Sequence, residues 1–278
     1  MNHSRFKLTH HSAKMCGRRG QSRQRKSSFR LSGKSLDNLY IYGLHAVRAA
    51  LQNPKRKKSS LLITVNARNR LQVDLESFSI KTKLVKPAQI DALVGDDKVH
   101  QGVVLTCNPL EPLGSANLFQ IADSDLILAL DQITDPHNFG AILRSAVAFN
   151  VDYVLTTCHY STVETAVMAK SASGALDLMQ IIKVNNLVKA LIELNEMGFK
   201  SVGLDSDGDN LMETIAKSNQ AQPMVLIIGS EGRGLRKKIR DICTEIAKIE
   251  MPGSIKSLNV SNSAALALYI TKNRSRFF

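Results

Sequence analysis

A chain of 278 residues, 44% of them hydrophobic, is long enough to bury a substantial core and to form two domains. Its formal charge of +13 points to a polyanionic partner, and its apolar runs stay well short of the roughly 18–20 residues of a membrane span. Cys16, Cys107, Cys158 and Cys243 make no CxxC pair and no metal-ligand spacing, so free thiols in a reducing compartment are expected, and no metal site.

The charge is concentrated. Residues 1–36 hold ten Lys and Arg and no acid, which leaves only about +3 for the rest. This segment has too few apolar residues to offset the entropy of ordering, so a disordered basic tail is expected. Nonspecific contact with nucleic-acid phosphates, an organelle transit peptide or a plain solvated extension all fit its composition. Sparse apolar residues count against the transit peptide, and no apolar stretch follows the charges as a secretory leader requires.

After the tail, "LYIYGLHAVRAALQNP" reads as a strand running into a helix, with Leu44, Val47, Ala50 and Leu51 at helical spacing and Asn53-Pro54 as its stop. "KRKK", Lys55 to Lys58, reads as an exposed basic turn. "SLLITVN", "IKTKLVK" and "GVVLTCN" read as strands, which gives a small α/β unit over residues 39–108. Pro109, Pro112, Gly114 and Ser115 mark a linker over 109–123.

From residue 124 to 278 the pattern becomes regular. "DLILALD", "VDYVLTT", "MQIIKV", "KSVGLDS", "MVLIIGS" and "EIAKIEM" read as strands with helical patterns between them. Near-continuous apolar strands alternating with helices predict an α/β fold, a mostly parallel sheet with helices on both faces. Ligands of such sheets bind beyond the carboxyl ends of the strands.

Three polar clusters fall there. In "DQITDPHNFGAILRSA", Asp135-Pro136 reads as a turn and Asn138 as the cap of the next helix. Capping leaves Arg144 unexplained among Ala141, Ile142, Leu143 and Ala146. Helical side chains lean toward the N-terminus, so its guanidinium reaches over the loop carrying His137 and Asn138, suited to phosphate or carboxylate. In "IIGSEGRGL", Gly229, Gly232 and Gly234 permit a tight turn and close approach to a ligand, while Glu231 disfavours a phosphate there. In "IEMPGSIKSLNVSNSAALALYI", Ser257, Asn259, Ser261, Asn262 and Ser263 precede a helix that looks fully buried. One cap needs one such residue, so the surplus suggests hydrogen bonds to something bound.

In this order and spacing the three clusters resemble the motifs of the SpoU (TrmH-like) 2′-O-ribose RNA methyltransferases, over about residues 125–273. "YGLHAVRAAL" and "VHQGVVL" make the leading module similar to the ribosomal-protein-like RNA-binding domain of the branch acting on guanosine of large-subunit rRNA. The resemblance implies a deep C-terminal trefoil knot, a homodimer and S-adenosylmethionine as methyl donor. It implies an RNA substrate, rRNA first and tRNA as the alternative, in the cytoplasm, or in the mitochondrion if the tail is a transit peptide. The catalytic set it implies is Asn138, Arg144, Glu231, Ser257 and Asn259, with Glu231 holding the Arg or a loop amide. Its cofactor-binding residues are Gly229, Ile249, Met251 and Leu258. Asn262-Ser263 depart from the Val-Ala that often follows "SLNVS" in the family, which is expected to alter local contacts only. A noncatalytic RNA-binding assembly factor on the same scaffold is the alternative of another class; it predicts damaged motifs, and these are intact.

Overall fold

The computed structural model describes residues 38–158, 164–218 and 222–273. The basic segment 1–36 and Cys16 lie outside the described residues. The first module runs β1 (Leu39–Tyr42), α1 (Leu44–Gln52), β2 (Lys58–Ile63), α2 (Val65–Leu71), β3 (Lys81–Leu84), α3 (Pro87–Val94) and β4 (Val103–Cys107). Its sheet has the order β1-β4-β2-β3, antiparallel except for the β2–β3 pair. Helix α1 buries Leu44, Val47, Ala50 and Leu51 as their spacing predicts, and Asn53 ends it. The short α2 and α3 carry little periodic signal and were not expected.

The second module continues with β5 (Leu113–Gly114), β6 (Leu126–Leu130), α4 (Pro136–Ala148), β7 (Tyr153–Thr157), α5 (Ala166–Ala172), α6 (Ala175–Leu178), β8 (Gln180–Val184) and α7 (Leu187–Glu196). Then follow β9 (Lys200–Leu204), β10 (Asn210–Leu211), α8 (Met212–Ser218), β11 (Met224–Ile228), α9 (Lys237–Arg240), β12 (Glu245–Lys248) and α10 (Val260–Lys272). The sheet order is β10-β12-β9-β11-β6-β7-β8-β5, and every neighbouring pair is parallel. All six strands read from the sequence are present. The two-residue β5 and β10 are too short to carry a pattern.

Burial on both faces explains the apolar runs. In β6, Leu126, Leu128 and Leu130 enter the core beneath α4, α5, α8 and α10, while Ile127 and Ala129 face α7 and α9. Each such side chain contributes about 1.5–3 kcal/mol on burial. Helix α4 lies tight on α5 because residue 140 is Gly: a Cβ there would come within 2.5 Å of the Met168 carbonyl oxygen. Helix α10 is not buried all round. Val260, Ala264, Ala267 and Leu268 face the core, whereas Leu266 and Tyr269 are each 41% exposed.

The two modules share one apolar core, with β1 against α5 and α1 against α6. A buried ionic cluster reinforces that contact and corrects the reading of "KRKK" as a solvated turn. Lys55 and Lys57 are exposed, but Arg56 is only 3% exposed. Its Nε and Nη2 donate to Asp177 Oδ1 and Oδ2 at 2.8 and 2.9 Å, and its Nη1 donates to Glu164 Oε1 at 2.5 Å and to the Asn108 carbonyl at 3.1 Å. Asn53 Nδ2 donates to Asp177 Oδ1 at 3.0 Å, and Glu164 Oε2 accepts from the Leu110 amide at 2.7 Å. The turn points inward because two carboxylates of the second module wait beneath it.

Burial works against the charge of Arg56, but Asp177 and Glu164 outweigh it and raise the guanidinium's pKa. Glu164 is shifted upward by burial, with Arg56 and the Leu110 amide opposing. Replacing Arg56 by Met would strand two carboxylates in the interior. Urea unfolding should show a loss of about 3–5 kcal/mol, against under about 0.5 kcal/mol for Lys55→Met nearby.

Candidate functional site

Three loops at the carboxyl ends of β6, β11 and β12 converge through side-chain amides and one carboxylate. Asn138 Nδ2 donates to Glu231 Oε2 at 3.1 Å, and Asn259 Nδ2 donates to Glu231 Oε1 at 2.7 Å and to Asn138 Oδ1 at 3.2 Å. Each loop supplies one member, so the node forms only when all three are in place.

Local structure frees these side chains. The cap of α4 is Asp135 rather than Asn138: its carboxylate accepts from the amides of His137 and Asn138 at 3.3 and 3.0 Å. Pro136 follows as the first helical residue, where its missing N–H costs nothing. Asn138 therefore sits inside the first turn, 7% exposed, with its amide turned to the neighbouring loops. Asn259 does cap α10, its Oδ1 accepting from the Ser261 amide at 2.9 Å and the Ser261 hydroxyl at 2.6 Å, while its Nδ2 serves the node.

The glycine-rich loop is shaped by its bare backbone. A Cβ on Gly229 would lie 2.3 Å from Gly234 backbone atoms, and Gly234 has φ +63°. Downstream, Arg236 forms a fork onto Asp131, its Nε at 3.0 and 2.9 Å from the two carboxylate oxygens and its Nη2 at 2.6 Å from Oδ1. Asp131 is 1% exposed and follows β6 directly, so this pair fixes the loop to the sheet. The sequence reading missed it. The signal was an acid ending an otherwise apolar strand, "LILALD".

Two clefts flank the node. The smaller is lined by Gly229, Glu231, Ile249, Met251, Ser257 and Leu258, six of the nine residues singled out from the sequence. Asp205 and Lys256 line it too, and the Lys256 ammonium is turned onto the Met251 carbonyl at 2.8 Å. The larger, about 570 Å³, takes His137, Arg144 and Lys170 from the second module and Tyr42, His45 and Gln101 from the first. Arg144 is exposed and makes no hydrogen bond or ion pair among the described residues. Glu231 therefore holds the two Asn amides and not Arg144. Burial lowers the pKa of Lys170.

The polar surplus does not all precede α10: Ser261, Asn262 and Ser263 form its first turn, because Asn259 is the cap, and the five side chains are divided. Asn259 and Ser261 make the cap, Ser257 and Ser263 line the smaller cleft, and Asn262 lines the larger. The Asn262-Ser263 departure therefore touches both clefts.

The model of the SpoU rRNA Methylase family matches residues 125–269, and that for RNA 2′-O ribose methyltransferase substrate binding matches residues 40–113. Relatives include the 23S rRNA (guanosine-2′-O-)-methyltransferase RlmB of Pseudomonas putida, 35% identical over 237 residues, covering 82% of this chain and 94% of the relative. The enzyme of the same name from Yersinia pestis is 34% identical over 236 residues, covering 82% and 94%. Among solved structures, the SpoU methyltransferase AviRb of Streptomyces viridochromogenes, in complex with AdoMet, matches with a TM-score of 0.70 at 22% identity, covering 86% of this chain and 91% of that one. That likeness shows a shared fold.

The glycine loop offers a direct check of the smaller cleft's geometry. Gly229→Ala should destabilise the protein by roughly 1–3 kcal/mol in urea unfolding, because the neighbouring backbone cannot yield to the added methyl. Gly232→Ala meets no atom within 4 Å, but its φ of +78° predicts a smaller loss, under about 2 kcal/mol.

Proposed function

Because the chain belongs to the SpoU rRNA methylase family, we propose that it transfers a methyl group from S-adenosylmethionine to the ribose 2′-oxygen of a guanosine in large-subunit rRNA. The observation that carries this reading is the Asn138–Glu231–Asn259 node, with Glu231 lining the cleft suited to the donor and the chain neighbours His137 and Ser261 lining the one suited to a nucleotide.

The smaller cleft fits the donor. Gly229, Gly232 and Gly234 keep one wall as bare backbone, and Ile249, Met251 and Leu258 offer apolar surface to an adenine. Asp205 is paired with Arg240 and Lys256 also lines the cleft, so Glu231 is the carboxylate that favours a sulfonium over a phosphate there. When bound, the donor supplies an electrophilic methyl group. Ser257, exposed at this cleft, has a hydroxyl available to a ligand.

The larger cleft takes the nucleotide. Arg144, with no partner among the described residues, anchors the phosphate on the 3′ side and stabilises the alkoxide that develops at the 2′-oxygen. A guanidinium holds its proton too firmly to serve as the base. Asn138 and Asn259 orient ribose and donor while Glu231 fixes both amides. Alignment of this kind contributes roughly 7–11 kcal/mol to a bimolecular transfer.

The wider reading has the residue 39–108 module gripping rRNA, segment 109–123, whose β5 and buried Leu118 and Ile121 already belong to the second sheet and its core, leading into the catalytic module 124–278, and residues 1–36 adding nonspecific phosphate contacts. It includes the trefoil knot: after β12, beyond β9, the chain returns to pack α10 on α4. It also includes a homodimer, supported by the outward Leu266 and Tyr269 of α10. A reducing compartment, the cytoplasm, suits Cys107, Cys158 and Cys243, which are free thiols.

Mapping of 2′-O-methyl sites in rRNA and tRNA from cells with and without the protein tests the activity; a guanosine of large-subunit rRNA should lose its methyl group. In vitro, Arg144→Ala should lower kcat at least 100-fold with donor affinity unchanged, and Arg144→Lys should recover little, since a point charge does not replace the fork. Near-normal turnover of the Ala variant at saturating RNA and donor would remove Arg144 from the mechanism. Deleting residues 1–36 should weaken RNA binding and flatten its salt dependence while sparing donor binding.

A further inference from the structure

Two short motifs of the first module, Tyr42-Gly43-Leu44-His45 and His100-Gln101-Gly102, do not face away from the catalytic module. They meet at the larger cleft, beside Lys170. The turn carrying Gln101 is held in an unusual shape. The Val103 amide donates to the His100 carbonyl at 3.2 Å, with φ +57° at Gln101 and +78° at Gly102. A side chain other than Gly, Asn or Asp is disfavoured at such a position.

The surroundings enforce it. His100, 9% exposed, accepts the Gly102 amide on Nδ1 at 3.0 Å and reaches Asp91 Oδ1 with Nε2 at 2.9 Å. The Gly102 carbonyl accepts from the Thr64 amide at 2.8 Å. A strained residue whose side chain enters a cleft points to a use for that side chain.

One end of the Gln101 amide is already committed. Its Oε1 accepts the Leu44 backbone N–H at the start of α1, at 2.9 Å, which fixes Nε2 as the other end. Nε2 makes no hydrogen bond among the described residues, and Gln101 is exposed to the cleft. Gly43 makes the approach possible: a Cβ there would lie 3.2 Å from Gln101 Oε1 and 2.7 Å from Lys170 Nζ. The cleft thus contains an oriented amide that presents N–H donors, built by the first module over the second.

We propose that Gln101 is a specificity-determining residue that recognises the base of the target nucleotide, donating from Nε2 to the O6 and N7 acceptors of guanine. Glutamine reads adenine through its oxygen and nitrogen together; here Oε1 is engaged by the Leu44 N–H, so Nε2 acts as a donor alone, and discrimination comes at O6 of guanine, where adenine presents an opposing donor. The cleft's volume of about 570 Å³ lies within the range of small-ligand sites. Arg144 at the phosphate and Gln101 at the base would then hold the nucleotide at both ends. The inference rests on the functional reading above and names the part of the site that selects the base.

The test uses the full chain, S-adenosylmethionine with a labelled methyl group, and two RNA fragments carrying the mapped site with guanine or adenine at the target. Wild type should favour the guanine fragment in kcat/KM by about 10- to 100-fold. Gln101→Glu keeps an oxygen for the Leu44 amide but loses both N–H donors. It should reduce the guanine-to-adenine ratio at least tenfold, with donor affinity unchanged by calorimetry. Gln101→Ala should reduce the ratio as well. An unchanged ratio in either variant overturns the assignment, and a loss confined to Gln101→Ala would reduce Gln101 to a cap for α1. Should wild type methylate neither fragment, the failure would lie with the functional reading itself.

Discussion

The larger cleft depends on one buried contact. Arg56 reaches from the first module between two carboxylates of the second, and its guanidinium satisfies Asp177, Glu164 and the Asn108 carbonyl together. An uncompensated charge is so costly in an apolar interior that this arrangement admits few alternatives. With the cluster formed, α1 is held on α6 and β1 on α5. The turns at 42–45 and 100–102 then stand over α4 and complete a cleft that neither sheet could form alone. Hydrophobic burial supplies most of the adhesion, and the ionic cluster supplies its register.

A second node orders the chemistry. Glu231 accepts from two Asn amides, so three loops distant in sequence are held in one geometry before any ligand arrives. The two clefts beside the node differ in character, mixed in charge where Glu231 and Asp205 stand with Lys256, and cationic on the side of Arg144 and Lys170. A phosphodiester would be drawn to the cationic side, which leaves the glycine-walled side to the donor. Asn259 contributes to both local and long-range order: its oxygen starts α10 and its nitrogen closes the node.

Most of the framework was legible in the chain because its signals are local. The six longer strands are apolar runs buried on both faces, so they stand out at any register. The glycines of 229–234 are recognisable as points of close approach, whereas the contact of Gly140 with α5 shows only in the fold. The short helices α2, α3, α5, α6 and α8 carried too few turns to show a period. From sequence Asn138 reads as a cap because Asn and Asp serve that role equally well, but in the folded chain Asp135 takes it.

What the sequence determined by itself is the α/β alternation, the two-module order and the residue types at the strand ends, since these follow from patterning within a few residues. What only the tertiary structure decided is which charges and amides find one another. "KRKK" gives no sign that Arg56 turns inward, because the two carboxylates it meets lie more than 100 residues away. Nothing near "VHQG" indicates that Gln101 spends its oxygen on the Leu44 amide and keeps its nitrogen for the cleft. Hydrogen bonds and ion pairs act over a few ångströms, and the distance that counts is set by the folded chain, not by position along it.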